Sequence, residues 1–159
     1  MFVPLMPARP TCALTETLLS GATGTPDSDF DTRPTAWYDD VTAQAAAASS
    51  RKTGTSCYAQ KTWAADKLIT KAVAQAPTDD RFVSGVGSGT VYAVLSGYNG
   101  STWTDLNTAS GAPTVGQTLT MTYSGTTKYI AHKVLVYHSA GATENYYVAE
   151  AQYYETACS

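Results

Sequence analysis

Hydrophobic and polar residues alternate along much of the second half of the chain, with the period of two that a strand with one buried face produces. The segment 118–123 shows the alternation most clearly, because Leu119, Met121 and Tyr123 fall on one face. Loops rich in glycine, serine and threonine separate such segments at intervals of about 10–15 residues, as in antiparallel sandwiches. The strands predicted by this pattern cover residues 11–20, 68–76, 90–97, 103–106, 118–123, 129–137 and 146–154.

The first residues of the chain predict an extended arm rather than a core element. Prolines at positions 4, 7 and 10 oppose both helix formation and ladder pairing. They also interrupt the apolar stretch that a secretory signal requires, so we expect an unprocessed chain that begins at its initiator methionine. The predicted organisation is an arm, residues 1–10, followed by a single domain, residues 11–159.

Two local signals complete the prediction of elements. The run 41–50 is rich in alanine and is the best helical stretch, with Asp39 or Asp40 as its N-cap. Asn99-Gly100 predicts a tight hairpin turn, because both residues accept the positive φ values that such a turn needs. One short helix beside an antiparallel all-β sandwich is therefore expected.

Composition and charge exclude several classes of partner. Charged residues make up 14% of the chain, against roughly 25% in typical globular proteins. The net charge is −3 and the isoelectric point is about 5.2, so the chain lacks the basic footprint that nucleic acids and anionic membrane surfaces attract. We therefore expect no nucleic-acid partner and no membrane partner.

Four segments, in this order and spacing, resemble the discoidin or coagulation-factor C-type domain. They are Phe30–Trp37, Lys67–Val73 with the loop that follows it, the hairpin Leu95–Leu106, and Tyr146–Tyr154. That domain is a galactose-binding-like jelly roll, shared with many carbohydrate-binding modules and with bacteriophage virion proteins. The resemblance covers roughly residues 25–155 and implies an all-β antiparallel jelly-roll sandwich.

The three cysteines leave two interpretations open. Cys12 and Cys158 bracket the domain as the terminal cysteines do in extracellular members of the family, which implies a disulfide between the end strands. Cys57 is then a free, buried thiol. The alternative is three reduced core cysteines.

The resemblance also implies a structural Ca²⁺ between the early loop and the closing strand. Its residue-by-residue counterparts are Asp31, Thr35 through its carbonyl, and Glu150. Carboxylate and carbonyl oxygens are the hard ligands that Ca²⁺ prefers. The alternative is that Asp31 caps a turn and that Glu150 accepts hydrogen bonds from the loop backbone.

A glycan site needs aromatic rings that stack on a sugar face and planar polar groups that orient it. The loops of the predicted sandwich offer candidates of both kinds: Trp63, Asp79, Asp80, Arg81, Tyr98, Trp103 and Tyr146. The alternative is structural, since Trp37 and Trp103 match family positions that pack in the core or against a hairpin.

Catalysis has little support in the sequence. His132 and His138 are six residues apart on one predicted strand, so they share a face, and we expect that face to be exposed. No nucleophile elbow and no metal-binding His motif occurs. Asp79, Asp80 and Glu144 are carboxylates that nothing selects as a hydrolytic pair. The protein is predicted not to be an enzyme.

These observations favour a structural protein of a bacteriophage virion, as a capsid decoration or as a neck, tail-spike or fibre component. Its expected partners are other virion proteins through the arm, further copies of itself, and host-surface glycan at the loops. Its expected location is the virion, assembled in the host cytoplasm. The alternative is a stand-alone, extracellular carbohydrate-binding or adhesion module, and a small hydrolase is the weakest of the three.

Overall fold

The computed structural model describes residues 14–19, 21–41 and 43–158. These residues form strands joined by loops and one short 3-10 helix, Ala36–Tyr38. The strands are β1 (Leu14–Leu19), β2 (Thr25–Ser28), β3 (Ser50–Gly54), β4 (Ser56–Lys67), β5 (Ile69–Gln75), β6 (Val91–Tyr98), β7 (Trp103–Gly111), β8 (Thr118–Thr122), β9 (Tyr129–His138), β10 (Glu144–Val148) and β11 (Glu150–Cys158).

The strands make a sandwich of two antiparallel sheets with a small ribbon at one end. One sheet has the order β1-β11-β5-β8, and the other has the order β2-β4-β9-β6-β7. Strands β3 and β10 pair with each other as a separate two-stranded ribbon. The expected all-β jelly-roll sandwich is confirmed.

The core lies between the two sheets and is built by alternating residues. On β6, Val91, Ala93 and Leu95 are fully buried, while Tyr92 on the opposite face is partly exposed. The hydroxyl of Tyr153 crosses the core and donates to the carbonyl of Ala59 at 2.8 Å, which links the two sheets. The period of two seen in the sequence thus reflects one face that packs inward.

Most predicted strands are confirmed, within a few residues at their ends. The hairpin at Asn99 is confirmed as well, with Gly100 at a φ of +98°. The Asn99 side chain accepts the backbone N–H groups of Ser101 and Thr102, each at 2.9 Å, so the turn is held by its own residues.

The helix predicted over 41–50 is wrong. Residues 46–48 form a turn, β3 begins at Ser50, and the 3-10 helix precedes this segment. Contacts to other parts of the chain override the helical preference of alanine: the amide of Gln44 bonds Asp39, and the N–H of Ala46 bonds Asp79.

The single strand predicted over 146–154 is also wrong, because two strands occupy it. Strand β10 belongs to the ribbon, and β11 belongs to the four-stranded sheet. The break falls at Ala149, whose N–H bonds the carbonyl of Gln75 at 2.9 Å. At this residue the chain passes from the ribbon to the four-stranded sheet, and the hydrophobicity of the sequence does not signal that change.

Cys57 is free and buried, which both interpretations of the cysteines expected. Cys12 and the arm over residues 1–10 lie outside the described residues, so the disulfide and the arm stay predictions. The backbone of β11 pairs Cys158 with Leu14 of β1. In the part of the chain that the structure describes, no helix is long and apolar enough to cross a membrane.

Candidate functional site

The long connections of the chain meet at one end of the sandwich, here called the loop end. Strand β5 finishes there while β8 and β11 begin there, since Gln75 is opposite both Thr118 and Glu150. Strands β6 and β4 also begin there, next to the last residues of β9. The other end, here called the hairpin end, carries the tight turn at Asn99.

Three predicted site residues, Asp79, Asp80 and Arg81, lie in a loop at this end. Asp79 accepts the N–H of Ala46 at 2.6 Å, and Asp80 accepts the N–H of Arg81 at 2.8 Å. The Arg81 Nε donates to the carbonyl of Pro113 at 3.2 Å. Asp79 and Arg81 therefore connect neighbouring loops, the bond of Asp80 stays within its own loop, and part of the hydrogen-bonding capacity of all three is used within the chain.

The β3–β10 ribbon is the other component of the loop end. Val83 forms a bridge with Tyr146, and the N–H of Ser84 donates to the carbonyl of Asn145 at 2.9 Å. Strand β10 therefore lies between β3 and the segment that follows Arg81. Backbone bonds on both sides fix its position.

One face of this ribbon groups an aromatic ring with planar and hydroxyl groups. The face consists of Arg51 and Thr53 on β3 and of Asn145 and Tyr147 on β10, and we call it the ribbon face. Tyr147 is directly opposite Arg51, and Asn145 is opposite Thr53. Thr53 is exposed and the other three are partly buried.

Hydrogen bonds order the ribbon face without covering it. The Thr53 hydroxyl donates to the Asn145 side-chain oxygen at 2.9 Å, and an Arg51 Nη is 3.5 Å from the Thr32 hydroxyl. Asp31 accepts the backbone N–H of Thr53 at 2.9 Å, and this bond, with Lys52 nearby, lowers the pKa of Asp31. An aromatic ring beside a guanidinium, an amide and a hydroxyl is the set of groups that a sugar ring requires.

Sequence reasoning did not select the four residues of the ribbon face. The available signal was the alternation of the short segments 50–54 and 144–148, which places Arg51 with Thr53 and Asn145 with Tyr147. Their pairing was not visible, because the two segments are about ninety residues apart and nothing local specifies the register.

Tyr98 and Trp103, two further predicted glycan residues, lie at the hairpin end. They form a cross-strand pair with ring centroids 5.1 Å apart, and the Lys133 Nζ is 4.3 Å from the centroid of Trp103. Seven steps of about 3.3 Å along β6 place this pair about 23 Å from the loop end. The structure therefore does not bring it together with Asp79, Asp80 and Arg81.

Trp63 and Tyr146 were also candidates for stacking, but both are buried in the core. Trp63 is 6% exposed and Tyr146 is fully buried. The Trp63 Nε1 donates to the Nδ1 of His132 at 2.8 Å, and the ring packs edge-on against Tyr153. Neither ring presents a face to solvent, so neither can stack on a sugar in this structure.

The expectation that His132 and His138 lie on an exposed face is wrong. They do share a face of β9, but that face points into the core and both side chains are buried. Burial lowers the pKa of His132 to about 3. The Nε2 of His138 is 2.9 Å from the carbonyl oxygen of Ser88, and its Nδ1 accepts the N–H of Ala140. Both imidazoles therefore form hydrogen bonds within the protein, His132 with Trp63 and His138 with the backbone of Ser88 and Ala140.

The residues that the resemblance implied for Ca²⁺ each have other surroundings in the structure, and the calcium site stays a prediction. Asp31 faces Thr53 and Lys52 and is half exposed. The carbonyl of Thr35 accepts the N–H of Tyr38 within the 3-10 helix. Glu150 is buried and is influenced by Asp39 and Asp40. Among the described residues, no group of three or more His, Cys, Asp and Glu side chains is placed to hold a metal ion.

Glu150 has unusual electrostatic surroundings. It is 1% exposed, and its Oε2 has no hydrogen-bond partner within the described structure. Burial, followed by the nearby charges of Asp39 and Asp40, raises the pKa of Glu150 to about 9, while Lys61 and the N–H of Asp40 act in the opposite direction. The charge of the Lys61 ammonium therefore acts on Glu150.

Comparison with known proteins identifies the fold. Neither a protein-family model nor the sequence of a characterised protein matches the chain. The family 32 carbohydrate-binding module of C. perfringens NanJ, solved in complex with galactose, matches 89% of this chain and 100% of its own. Its TM-score is 0.66 and its sequence identity is 11%.

Two other solved structures are similar. CpGH89CBM32-5 from Clostridium perfringens, in complex with GalNAc-β-1,3-galactose, covers 86% of this chain and 99% of its own, with a TM-score of 0.62 and 12% identity. The lectin domain of lectinolysin, complexed with Lewis B antigen, covers 86% and 96%, with a TM-score of 0.61 and 10% identity.

These structures share the architecture of the chain at low sequence identity. The carbohydrate-binding modules among them are non-catalytic domains, and some are found next to an enzyme domain, as in truncated AlyQ with its alginate lyase domain. Nothing in the comparisons links the chain to a bacteriophage virion. The chain has the galactose-binding-like jelly-roll fold of the discoidin-type domains and of the family 32 carbohydrate-binding modules.

Proposed function

We propose that the protein is a carbohydrate-binding module that binds glycans through the ribbon face. The observation that carries this proposal is the placement of Tyr147 opposite Arg51, and of Asn145 opposite Thr53, on one accessible face at the loop end. The fold supports it, because similar structures were solved in complex with galactose, GalNAc-β-1,3-galactose and Lewis B antigen.

The chemistry of the ribbon face fits a neutral sugar. The Tyr147 ring supplies apolar area for the C–H face of a pyranose. The Nη groups of Arg51 can donate, although its Nε is buried, and the Asn145 amide both donates and accepts, so together they distinguish the directions of neighbouring sugar hydroxyls. We infer glycans that end in galactose or a related hexose, and no pocket among the described residues encloses the sugar.

The test compares the two ends of the sandwich. A glycan array identifies a ligand, and calorimetric titration then measures its Kd for the full chain and for two variants. Tyr147→Ala is expected to raise the Kd about tenfold, which corresponds to ~1.4 kcal/mol. Trp103→Ala is the matched control, because it removes a partly buried aromatic ring from the hairpin end.

Each outcome decides the location of the site. Weaker binding in Tyr147→Ala, with Trp103→Ala unchanged, supports the ribbon face. The reverse pattern would move the site to the Tyr98–Trp103 pair and refute the ribbon face. A folded wild-type protein that retains no glycan on the array would reject the function itself.

No observation of the structure or the comparisons favours a structural role in a virion. Self-association, docking through the arm and location outside the cell stay predictions. Oligomeric state is measured by light scattering of the same preparation that is used for the array.

A further inference from the structure

Lys61 is a buried lysine on the inner face of β4. It is 2% exposed, and its Nζ donates to the carbonyl of Gly21 at 2.7 Å. Gly21 belongs to the loop that takes the chain from the four-stranded sheet to the five-stranded sheet. The ammonium therefore connects the inner face of one sheet to the loop that joins both.

The same loop is bound from its other side by an aspartate. The N–H of Gly21 donates to both carboxylate oxygens of Asp40, at 2.8 and 2.9 Å. A Cβ at position 21 would lie 1.7 Å from the carbonyl oxygen of Tyr38, so this close approach requires glycine. Gly21 thus lies between two opposite charges. Its carbonyl accepts from the Lys61 ammonium, and its N–H donates to the Asp40 carboxylate.

The closing strand, which begins with Glu150, lies against the 3-10 helix of this arrangement. Burial lowers the pKa of Lys61, while Asp40 and, to a smaller extent, Glu150 act in the opposite direction. The rings of Trp37 and Tyr38 are also near the ammonium, with centroids 6.0 and 5.7 Å from the Nζ. The crossing loop and the 3-10 helix therefore both lie near the same nitrogen.

We propose that the Lys61 ammonium is a built-in cation that holds the Gly21 loop and the 3-10 helix to β4, and that it makes the structural Ca²⁺ implied by the family resemblance unnecessary. A calcium ion beside the Oε2 of Glu150 would share the field of this ammonium and be repelled by it. Asp31, the other expected carboxylate ligand, is bound to the backbone of β3 instead. The protein is thus expected to fold and to keep its loop end without calcium.

The test is urea unfolding of the full chain in excess CaCl₂ and in excess EDTA. The wild-type midpoint is expected to be the same in both. Lys61→Met keeps the length of the side chain and removes the charge. It is expected to lower the folding equilibrium constant about 10- to 100-fold, the range for a lost hydrogen bond to a charged group. A midpoint that Ca²⁺ raises in the wild type, or a Lys61→Met variant as stable as the wild type, would overturn the proposal.

A control variant and a double-mutant cycle distinguish this role of Lys61 from the effect of removing any lysine. Lys71→Met removes a lysine that pairs with Glu16 at the surface, and it is expected to change the equilibrium constant less than about fivefold. Asp40→Asn keeps a residue that tolerates the φ of +64° at this position. In a double-mutant cycle, its effect should be smaller in Lys61→Met than in the wild type, and simple additivity counts against the connection through Gly21.

If Lys61→Met does not accumulate as folded protein, Asp40→Asn and the wild-type comparison still decide. Asp40→Asn is then expected to lower the equilibrium constant about 3- to 10-fold, equally in CaCl₂ and in EDTA. No effect, or an effect that Ca²⁺ reverses, would reject the proposal. These measurements need no glycan, so their failure and the failure of the proposed function are distinguishable.

Discussion

Two regions of the molecule carry similar polar and aromatic groups in opposite surroundings. The first lies on the inner faces of β4 and β9 and contains Lys61, Trp63 and His132, all buried. The second is the ribbon face, which also combines a cation, an aromatic ring and hydrogen-bonding groups, with at least part of each side chain accessible. Cross-strand pairing organises both, since Lys61 is opposite His132 as Tyr147 is opposite Arg51.

Burial gives these two sets different roles. A buried donor or acceptor must be compensated inside the protein, because an unsatisfied one costs about 1–3 kcal/mol. The bonds of Trp63 to His132 and of Lys61 to Gly21 meet part of this requirement, although the Nε2 of His132 has no partner among the described residues. Burial leaves these groups closed to a ligand. On the ribbon face the Arg51 Nε is buried without a partner among the described residues, while the partly exposed groups keep capacity for a ligand. Changes in the inner set should therefore affect stability, and changes in the ribbon face should affect binding.

The largest expected effect is a loss of folding stability in acid, and His132 in the buried set causes it. Its pKa is 6.5 in an exposed state and about 3 in the folded protein. Between these two values the unfolded chain binds a proton that the folded protein refuses, so stability is lost as the pH falls from 6.5 to 3. The loss reaches up to about 5 kcal/mol from this group. Urea unfolding at a series of pH values measures it.

His132→Gln is the control for this prediction, because glutamine has no titration in the range and can still accept a hydrogen bond. Its stability should fall less steeply with acid than that of the wild type. Parallel curves for the two proteins would show that the acid sensitivity originates elsewhere.

Removing the indole N–H is expected to have the next largest effect. Trp63→Phe deletes the donor to His132 and leaves a buried acceptor unpaired, which should lower the free energy of unfolding by about 2 kcal/mol. Glycan affinity of the folded variant should stay within about twofold of the wild type. Urea midpoints and calorimetric titration test the two parts, and a large loss of affinity would show that the two regions are coupled.

The smallest stability effect is expected on the ribbon face itself. Thr53→Ala removes the exposed hydroxyl that bonds Asn145 and should change the free energy of unfolding by less than about 0.5 kcal/mol. Its affinity for the glycan should nevertheless decrease, because Asn145 loses the bond that orients it. Thermal unfolding and calorimetric titration of the variant measure the two quantities. A variant that is destabilised but binds the glycan normally would contradict the division of roles between the two regions.

The elements predicted correctly are those that nearby residues encode. Alternation over a few residues was enough for β8, and the hairpin at Asn99 closes with bonds to Ser101 and Thr102. The alanine-rich run 41–50 led to a wrong helix prediction, because the helical preference of alanine is weak and contacts to Asp39 and Asp79 outweigh it.

The candidate site could not be predicted because its residues are distant in sequence. Thr53 and Asn145 are 92 residues apart, and Lys61 is 40 residues from Gly21. A signal for Lys61 did exist: Cys57, Ala59 and Trp63 alternate with polar residues, and the same period places Lys61 on their buried face. The expected exposure of His132 and His138 failed for a related reason, since β9 is an interior strand and one of its faces must face the core.

The pairing of Leu14 with Cys158 has a practical consequence for how this protein is used. Strand β11 begins at the loop end with Glu150 and runs to Cys158, eight steps or about 26 Å away. Both described ends of the chain therefore leave the sandwich on the side away from the ribbon face. A fusion partner placed directly before Leu14 or directly after Cys158 would leave from the end of the sandwich opposite the ribbon face.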